Sequence, residues 1–441
     1  MHINKILFLV VLFIAGNSFS QNILEPEEAF RLALENNYGI KITYNDVEIA
    51  ENNAGLLNSG YLPSLTANAG TTYNRDNTEA EFSDGTVRIL EGAKSNRLNA
   101  GVTLNYTLFD GLGRLYNYKR LKELYDLSEL EARETIENTI YNLFTIYYNV
   151  AELSENVTSF EQALAISKDR ITRSQYQFDY GQVTKLAVLN AQVDINNDSI
   201  NLINSKQQLG NTKRDLNFVL GNVLEPNFKV DTLVNFILKG ERDALLNKVK
   251  SSNVLLQQVE KNILINEFNI KATRGNFFPT IGLFGSYGYS KNNNNAASFL
   301  AVSTNSGLSG GLNLSWDIFD SGTTITRVNN AKINLESQEL IKEELLISIE
   351  RDFYNAWDDY INKLTIYQVQ ADNIITATAN FERTEEKFKL GQVTSIEFRQ
   401  AQLNLISAEL SRNQAKYDAK LAELRILQLS GDLLNIDFAS N

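Results

Sequence analysis

Two stretches of this chain repeat one another at a fixed distance, and no other feature narrows the possible folds as far. Gly101-Val-Thr-Leu-Asn-Tyr-Thr-Leu-Phe-Asp110 returns as Gly311-Leu-Asn-Leu-Ser-Trp-Asp-Ile-Phe-Asp320, 210 residues on. Phe178-Asp-Tyr-Gly-Gln-Val-Thr184 returns at the same offset as Phe388-Lys-Leu-Gly-Gln-Val-Thr394, and Gly221 and Gly431 keep it too. Across that stretch no residue has been gained or lost between the copies. A duplicated unit whose internal spacing is held this tightly reads as one rigid element, so any fold must place it twice.

The first twenty residues read as a signal peptide: Lys5 as the positive region, Ile6 to Ala15 as the apolar region, and Ser18-Phe-Ser20 as a small-residue cleavage site before Gln21. The apolar run is short for a membrane span, and polar Gly16-Asn-Ser follows it. No cysteine stands at the cleavage site, so a mature N-terminus without a lipid anchor is expected. The chain has no Cys, and its single His and single Met are His2 and Met1. After cleavage there is no thiol nucleophile, disulfide, Ser-His-Asp triad, or imidazole or thiolate metal site. Carboxylate-only chemistry of the glycosidase kind stays open in principle, but no convincing motif pairs two acids. No cofactor and no metal are expected. The formal net charge of −12, one unit more negative without Lys5, argues against a nucleic-acid partner.

The coarse pattern is helix, two strands, long helix, return helix, and then the same again. In Leu98 to Leu108 every even position is apolar and every odd one polar or Gly, and Leu308 to Ile318 alternates in the same sense. Partner strands are expected around Leu65 to Asn74 and Ile281 to Ser290, each following a proline, Pro63 or Pro279. Such alternation over about ten residues fits a transmembrane β-strand with one lipid-facing and one water-facing side. Tyr106, Trp316, Tyr287 and Tyr289 fall on the lipid side. A soluble, half-buried hairpin gives the same pattern; the signal peptide, the Gly/Asn/Ser/Thr-rich second face and the paired hairpins favour the membrane. Arg75 to Asn96 and Lys291 to Ser306 read as long polar loops. Four strands cannot close a barrel, and open edges are not tolerated in lipid, so several protomers must share one barrel.

Ile136, Leu143, Val150, Val157, Leu164, Ile171 and Phe178 lie seven apart, as do Leu346, Phe353, Tyr360, Tyr367, Ile374, Phe381 and Phe388. A strict seven-residue period predicts a coiled-coil seam. Val188, Ile195, Leu202, Leu209 and Leu216 continue it on the first return helix. On the second, Ala401, Ala408, Ala415 and Ala422 make a small-residue stripe beside Leu403, Leu410, Tyr417 and Leu424. A helix from Gly111 to Phe178 would be on the order of 100 Å long, beyond the globular range.

At the two turns, Gly181 and Gly391 suit left-handed helix ends, and Thr184 and Thr394 suit N-caps of the return helices. Thr394-Ser-Ile-Glu397 is a capping box, whereas the first copy has Ala187 where the second has Glu397.

On these residues the chain resembles the TolC-type outer membrane efflux proteins (outer membrane factors) over essentially its whole mature length. The resemblance rests on the duplicated tip followed by an Ala-Gln pair (Ala191-Gln192, Ala401-Gln402), the junctions at Phe109 and Phe319, and the prolines at Pro63 and Pro279. It implies an α+β membrane protein and a homotrimer. Twelve strands, four per protomer, would form one transmembrane β-barrel, continued by a coiled-coil helical tube in the periplasm. The expected organisation is a signal peptide over 1–20, an N-terminal helix over 21–60, the first β-hairpin over 61–110 and the first helical hairpin over 111–221. An equatorial segment over 222–240 precedes a second helix over 241–276, a second β-hairpin over 277–320 and a second helical hairpin over 321–431. A tail over 432–441 closes the chain.

In the family the periplasmic end is closed by inward-coiling helices carrying a tyrosine, an arginine and two aspartates near the second tip. Carried over, the tyrosine falls on Phe388, the arginine on Val393 and the aspartates on Glu397 and Gln400. One carboxylate survives and the polar locks are lost. Three Glu397 side chains around a threefold axis would make a cation-attracting ring; the capping box explains the same residue without one, and both readings stay open. Gly181, Gln182, Val183, Gly391, Gln392 and Val393 are implied to dock the helical hairpin of a periplasmic adaptor, an exposed Val at a tip having little packing reason of its own. The expected function is a passive exit duct in the outer membrane of a Gram-negative bacterium, not an enzyme. It would be fed by an inner-membrane pump, in small-molecule efflux or type I protein secretion. A structural or adhesive coiled-coil protein anchored by a trimeric barrel is the alternative, disfavoured because the hairpins are internal and duplicated.

Overall fold

The structure, a computed structural model, describes residues 23–225, 227–238 and 241–436. The expected signal peptide over 1–20 and the last five residues of the expected tail lie outside the described residues. The chain divides into two units. One holds the described parts of 1–45, 130–257 and 343–441; the other holds 46–129 and 258–342.

The second unit carries the β-hairpins. Strands β2 (Ser64–Glu81), β3 (Val87–Phe109), β5 (Thr280–Asn293) and β6 (Val302–Ser315) form one antiparallel sheet in the order β2-β3-β5-β6. Pro63 and Pro279 each precede the first residue of a strand, where the missing N–H removes no ladder bond. The register separates two chemistries. Thr66–Thr103–Ser286–Ser309, Asn68–Gly101–Gly288–Gly307 and Gly70–Asn99–Ser290–Asn305 line one face. Leu65–Leu104–Gly285–Gly310, Ala67–Val102–Tyr287–Leu308 and Ala69–Ala100–Tyr289–Ser306 line the other, mostly apolar, in the sense that the period-2 pattern predicts.

Two strand expectations need correction. Arg75 to Asn96 is no long loop: β2 and β3 stay paired out to Glu81↔Val87, and the turn is confined to 82–86. There Phe82 N donates to Thr86 O, and Thr86 N donates to Asp84 Oδ1 at 2.9 Å. Gly85 follows Asp84 with φ +84°, a tight-turn conformation that Asp-Gly signals. The second hairpin likewise turns within 294–301 instead of opening at Lys291. Conversely, β6 stops at Ser315 although the alternation runs on to Ile318. Its neighbour β5 begins at Thr280, opposite Ser315, so residues beyond have nothing to pair with; Trp316 Nε1 instead donates to Phe277 O at 3.2 Å.

Where the first hairpin passes into the long helix α3 (Gly113–Asp179), Gly111 and Gly275 meet. A Cβ on Gly111, whose φ is +66°, would lie 2.3 Å from Gly275 O, so that position excludes a side chain, while one on Gly275 would crowd Asp110 O at 3.1 Å. Asp110 caps α3: its Oδ2 accepts Arg114 N at 2.9 Å. Asp320 does the same for α7 (Thr323–Lys389), accepting Thr324 N at 2.7 Å.

The first unit takes the long helices from 130 and 343 onward, and there α3 and α4 (Lys185–Val219) form one helical hairpin, α7 and α8 (Ser395–Leu429) the other. The long helices are 67 residues each and the return helices 35 each. None of the fourteen seam residues expected on α3 and α7 is exposed, and Leu143, Val150, Phe353, Tyr360, Phe381 and Phe388 are buried. The α8 alanine stripe is buried as well. On α4 the seam differs from expectation. Val188 and Leu216 at its ends are buried as expected, but Ile195, Leu202 and Leu209 between them are only half-buried; the continuous buried line is the neighbouring heptad of Ala191, Asp198, Ser205, Thr212 and Val219. Small side chains there let helices approach closely, and the bulkier residues flank the contact.

The N-terminal helix expected over 21–60 is two, α1 (Pro26–Asn36) and α2 (Tyr38–Ala54). That over 241–276 is α5 (Arg242–Ser252) and α6 (Val254–Arg274). An extended asparagine breaks each pair. Asn37 Oδ1 accepts Ile40 N at 3.2 Å while its Nδ2 donates to Val219 O, the end of α4, at 2.8 Å. Asn253 Oδ1 accepts Leu256 N at 3.3 Å and its Nδ2 donates to Leu429 O, the end of α8, at 3.3 Å. Strands β1 (Ile23–Leu24) and β4 (Lys229–Val230) pair in parallel, and Tyr147 OH donates to Leu24 O at 2.7 Å. The segment after β4 has no ladder of its own, so buried side chains of α8 take its backbone groups. Lys420 Nζ donates to Asn235 O and to Glu423, both at 2.6 Å, and Glu423 accepts Ile237 N and Leu238 N.

Candidate functional site

The turns between the long and return helices place most of the expected site residues together. Gly181 and Gly391 adopt φ +74° and +72°, and the 6→1 bonds of a left-handed helix end run from Gln182 N to Gln177 O and from Gln392 N to Lys387 O. Both glycines and both glutamines are exposed. Beyond them the copies diverge. Thr394 N donates to Glu397 Oε2 at 2.7 Å and Glu397 N donates to Thr394 Oγ1 at 3.2 Å, the reciprocal capping box. Thr184 stands at the same N-cap position but makes no side-chain cap bond, and Ala187 at N3 has no carboxyl to return one. The bonds from the Thr394 backbone and hydroxyl hold the Glu397 carboxyl below the usual glutamate range.

Phe388 and Val393 are packing residues, and this corrects the premise that the tip valines stand free. Phe388 is buried and stacks on Phe398 with centroids 4.6 Å apart; Phe381 and Ala401 complete the cluster, and half-buried Val393 packs on it. Val183 is half-buried too. Exposed Gln400 donates from Nε2 to Asn404 Oδ1 at 2.9 Å. A cavity of about 860 Å³ between the two hairpins is lined by Gln182, Val183, Gln392, Val393, Glu397 and Gln400, among others. Gly391 and Phe388 also line it, Gly181 does not, and Pro63 and Pro279 belong to the other unit.

A largely buried ionic cluster, of which Arg170, Asp194 and Arg399 also line the cavity, is absent from the sequence expectations. Arg399 on α8 grips Asp198 on α4 with two bonds, 2.7 and 2.8 Å, and Arg170 on α3 pairs with Asp194. Ser167 Oγ donates to Asp198. Gln402 Nε2 donates to Ala163 O at 2.9 Å, and its Oε1 accepts Arg399 Nη1 at 3.0 Å. Arg170, Asp198 and Gln402 are each 3% exposed or less. The first hairpin is thereby tied to the second, with Arg173 Nη1 adding a 3.1 Å bond to Lys389 O. One sign was available: Asp198 interrupts a line of small residues, and the matching position 210 residues on is Ala408.

Of the acids that line the cavity, Asp194 is paired with Arg170 and Glu397 with the capping backbone, and no group of three or more His, Cys, Asp or Glu is arranged to hold a metal among the described residues. Among them, too, no helix is long and apolar enough to cross a membrane.

The chain is 23% identical to the outer membrane protein TolC of Escherichia coli, over 94% of its own length and 83% of that protein's. It is 21% identical to the alkaline protease secretion protein AprF of Pseudomonas aeruginosa, over 97% of this chain and 88% of that one. Its fold superposes on the CmeC outer membrane channel of Campylobacter jejuni with a TM-score of 0.76 at 18% identity, covering 94% of this chain and 87% of that one. The sequence pattern described as "Outer membrane efflux protein" matches residues 29–222 and 245–432, so the chain belongs to the outer membrane efflux protein family, whose members are channels and not enzymes.

Proposed function

We propose that three copies of this chain form the outer-membrane exit duct of a tripartite efflux or type I secretion system, a passive path for solutes driven by an inner-membrane pump. The observation that carries this reading is the sheet of β2, β3, β5 and β6, apolar on one face, polar and glycine-rich on the other, and open at both edges. An open edge cannot face hydrocarbon, and pairing β2 of one copy with β6 of the next closes a twelve-stranded barrel. Equal lengths of the paired long and return helices support descent of the two halves from one unit. Heptad seams along α3 and α7 support a coiled-coil tube on the periplasmic side. The segment around 222–240 forms a belt around the tube.

The paired tips receive the hairpin of a periplasmic adaptor. Exposed Gln182 and Gln392 supply its polar contacts, with Gly181 and Gly391 giving close approach, while Val183 and Val393 shape the cavity from partly buried positions. Exposed Glu397 faces the pore as a ring while also capping α8, with Gln400 beside it and Phe388 fixing the helix behind. Efflux and protein secretion are both represented among the relatives by name, and the duct serves either.

The test is in-cell photocrosslinking from a probe at Gln392, with captured proteins identified by mass spectrometry, alongside the mass of the purified protein. A trimer that captures a periplasmic adaptor is expected. A monomer, or a probe that captures only its own copies, would sink the reading.

A further inference from the structure

Three cations stand on the apolar face of the sheet, at the end remote from the helices, without an acidic partner. Following the register outward on that face, Ala69–Ala100–Tyr289 is succeeded by Thr71–Leu98–Lys291, then Tyr73–Asn96–Asn293, then Arg75–Lys94. Arg75 and Lys94 are direct cross-strand partners, a like-charge pairing that disfavours the sheet by itself. All three cations are exposed. None makes an ion pair with a carboxylate among the described residues. Asp76, the neighbour of Arg75, turns to the opposite face with Ala93, and Glu91 in the bulge pairs with none of them.

The bulge places the arginine. Register slips between Asp76 and Thr78; Gly92 takes φ +63° and donates its N–H to Asn77 Oδ1 at 2.7 Å. A Cβ at Gly92 would come within 3.1 Å of Arg75 Nε, so the missing side chain is where the guanidinium lies. Inward on the same face, past the Tyr73–Asn96–Asn293 rank and next to the rank that carries Lys291, is a recess of about 380 Å³, lined by Ala67, Ala69, Ala100, Val102, Tyr287 and Tyr289 among others. Small residues hollow the surface there and tyrosines wall it. Cations outside tyrosines, above a shallow apolar groove, match an amphiphile with an anionic head and a hydrocarbon chain.

We propose that Arg75, Lys94 and Lys291 bind the phosphate-bearing anionic headgroup of a lipid in the outer leaflet, with an acyl chain in the alanine-lined recess. This rests on the membrane reading of the sheet. The bound phosphate relieves the Arg75–Lys94 repulsion, which no carboxylate among the described residues relieves.

The test uses the full chain in zwitterionic detergent with equimolar phosphatidylglycerol and phosphatidylcholine, retained lipid being counted by native mass spectrometry. Preferential retention of phosphatidylglycerol is expected. The preference should fall on the order of fivefold for Lys291→Gln and about a hundredfold for Arg75→Gln, Lys94→Gln and Lys291→Gln together. The charge-keeping pair Arg75→Lys and Lys94→Arg should preserve it. Equal retention of the two lipids by the natural chain, or an unchanged preference in the triple variant, would overturn the site. So would binding of inorganic phosphate with no lipid preference. Flotation with phosphatidylcholine vesicles separates the two readings: a chain that floats but shows no preference loses only the lipid site. A chain that does not float loses the membrane barrel and the site with it.

Discussion

Thr184 and Thr394 hold the same position in the two hairpin turns, yet only Thr394 caps its helix through its side chain. Thr394→Ala is therefore expected to cost about 1 kcal/mol of local stability, whereas Thr184→Ala should change little. Hydrogen exchange of the first-turn amides of α8 and α4 checks both. Glu397 adds a pH dependence whose direction follows from its lowered native pKa. The cap's contribution is fully present above the ordinary glutamate range and is lost as pH falls through the lowered native value. The protection of Glu397 N, taken against its intrinsic exchange rate at each pH, should fall on acidification, and Glu397→Gln should flatten that response. The buried cluster nearby makes a sharper demand. Arg399→Ala leaves Asp198, 3% exposed, without its guanidinium partner, and a cost of about 3 kcal/mol or more is expected. Asp198→Ala with Arg399→Ala should cost less than the two separate losses added together; strict additivity in chemical denaturation would mean that the pair is not coupled.

At the scale of elements, periodicity was the legible part. Leu98 to Leu108 alternates because successive side chains of β3 fall on opposite faces of the sheet, one apolar and one polar, and the α3 and α7 seams repeat every seven because those faces are covered. What the sequence concealed was set by partners far along the chain. The outer ends of β2 and β3 look like polar loop, since both faces there carry charged or polar residues; pairing and the Asp84-Gly85 turn make them strand. Asn37 and Asn253 look like ordinary helix residues until the ends of α4 and α8 offer carbonyls to their side chains. The Arg399–Asp198 pair joins helices 201 positions apart, a separation that no local pattern encodes. The glycines divide in the same way. Gly391→Ala meets no neighbour within 4 Å and should cost only the left-handed strain, about 1 kcal/mol. Gly111→Ala must also push Gly275 O away from 2.3 Å, and a loss on the order of 2–3 kcal/mol is expected. Similar midpoints for the two variants in chemical denaturation would contradict the close approach.

For the whole molecule, sidedness of the sheet is the property on which the duct depends, and two positions three residues apart on β6 isolate it. Leu312 pairs with Leu283 on the apolar face and is 69% exposed in a single protomer; Ser309 pairs with Ser286 on the polar face, their hydroxyls 2.8 Å apart. In a soluble hairpin, lysine at an exposed Leu312 would be harmless or helpful. In a barrel it places a charge in hydrocarbon, at about 2–4 kcal/mol near the midplane and less toward the rims. Leu312→Lys is therefore expected to raise the urea sensitivity of the vesicle-inserted protein and to lower its yield in the membrane. Ser309→Lys should insert normally, because water in the lumen solvates the ammonium, and should shift the single-channel conductance toward anions. The pair is informative because each variant adds the same positive charge to the same strand. If both inserted equally well and neither altered ion selectivity, the apolar and polar faces would not be lipid and lumen. The two open edges would then have to be covered in some other way.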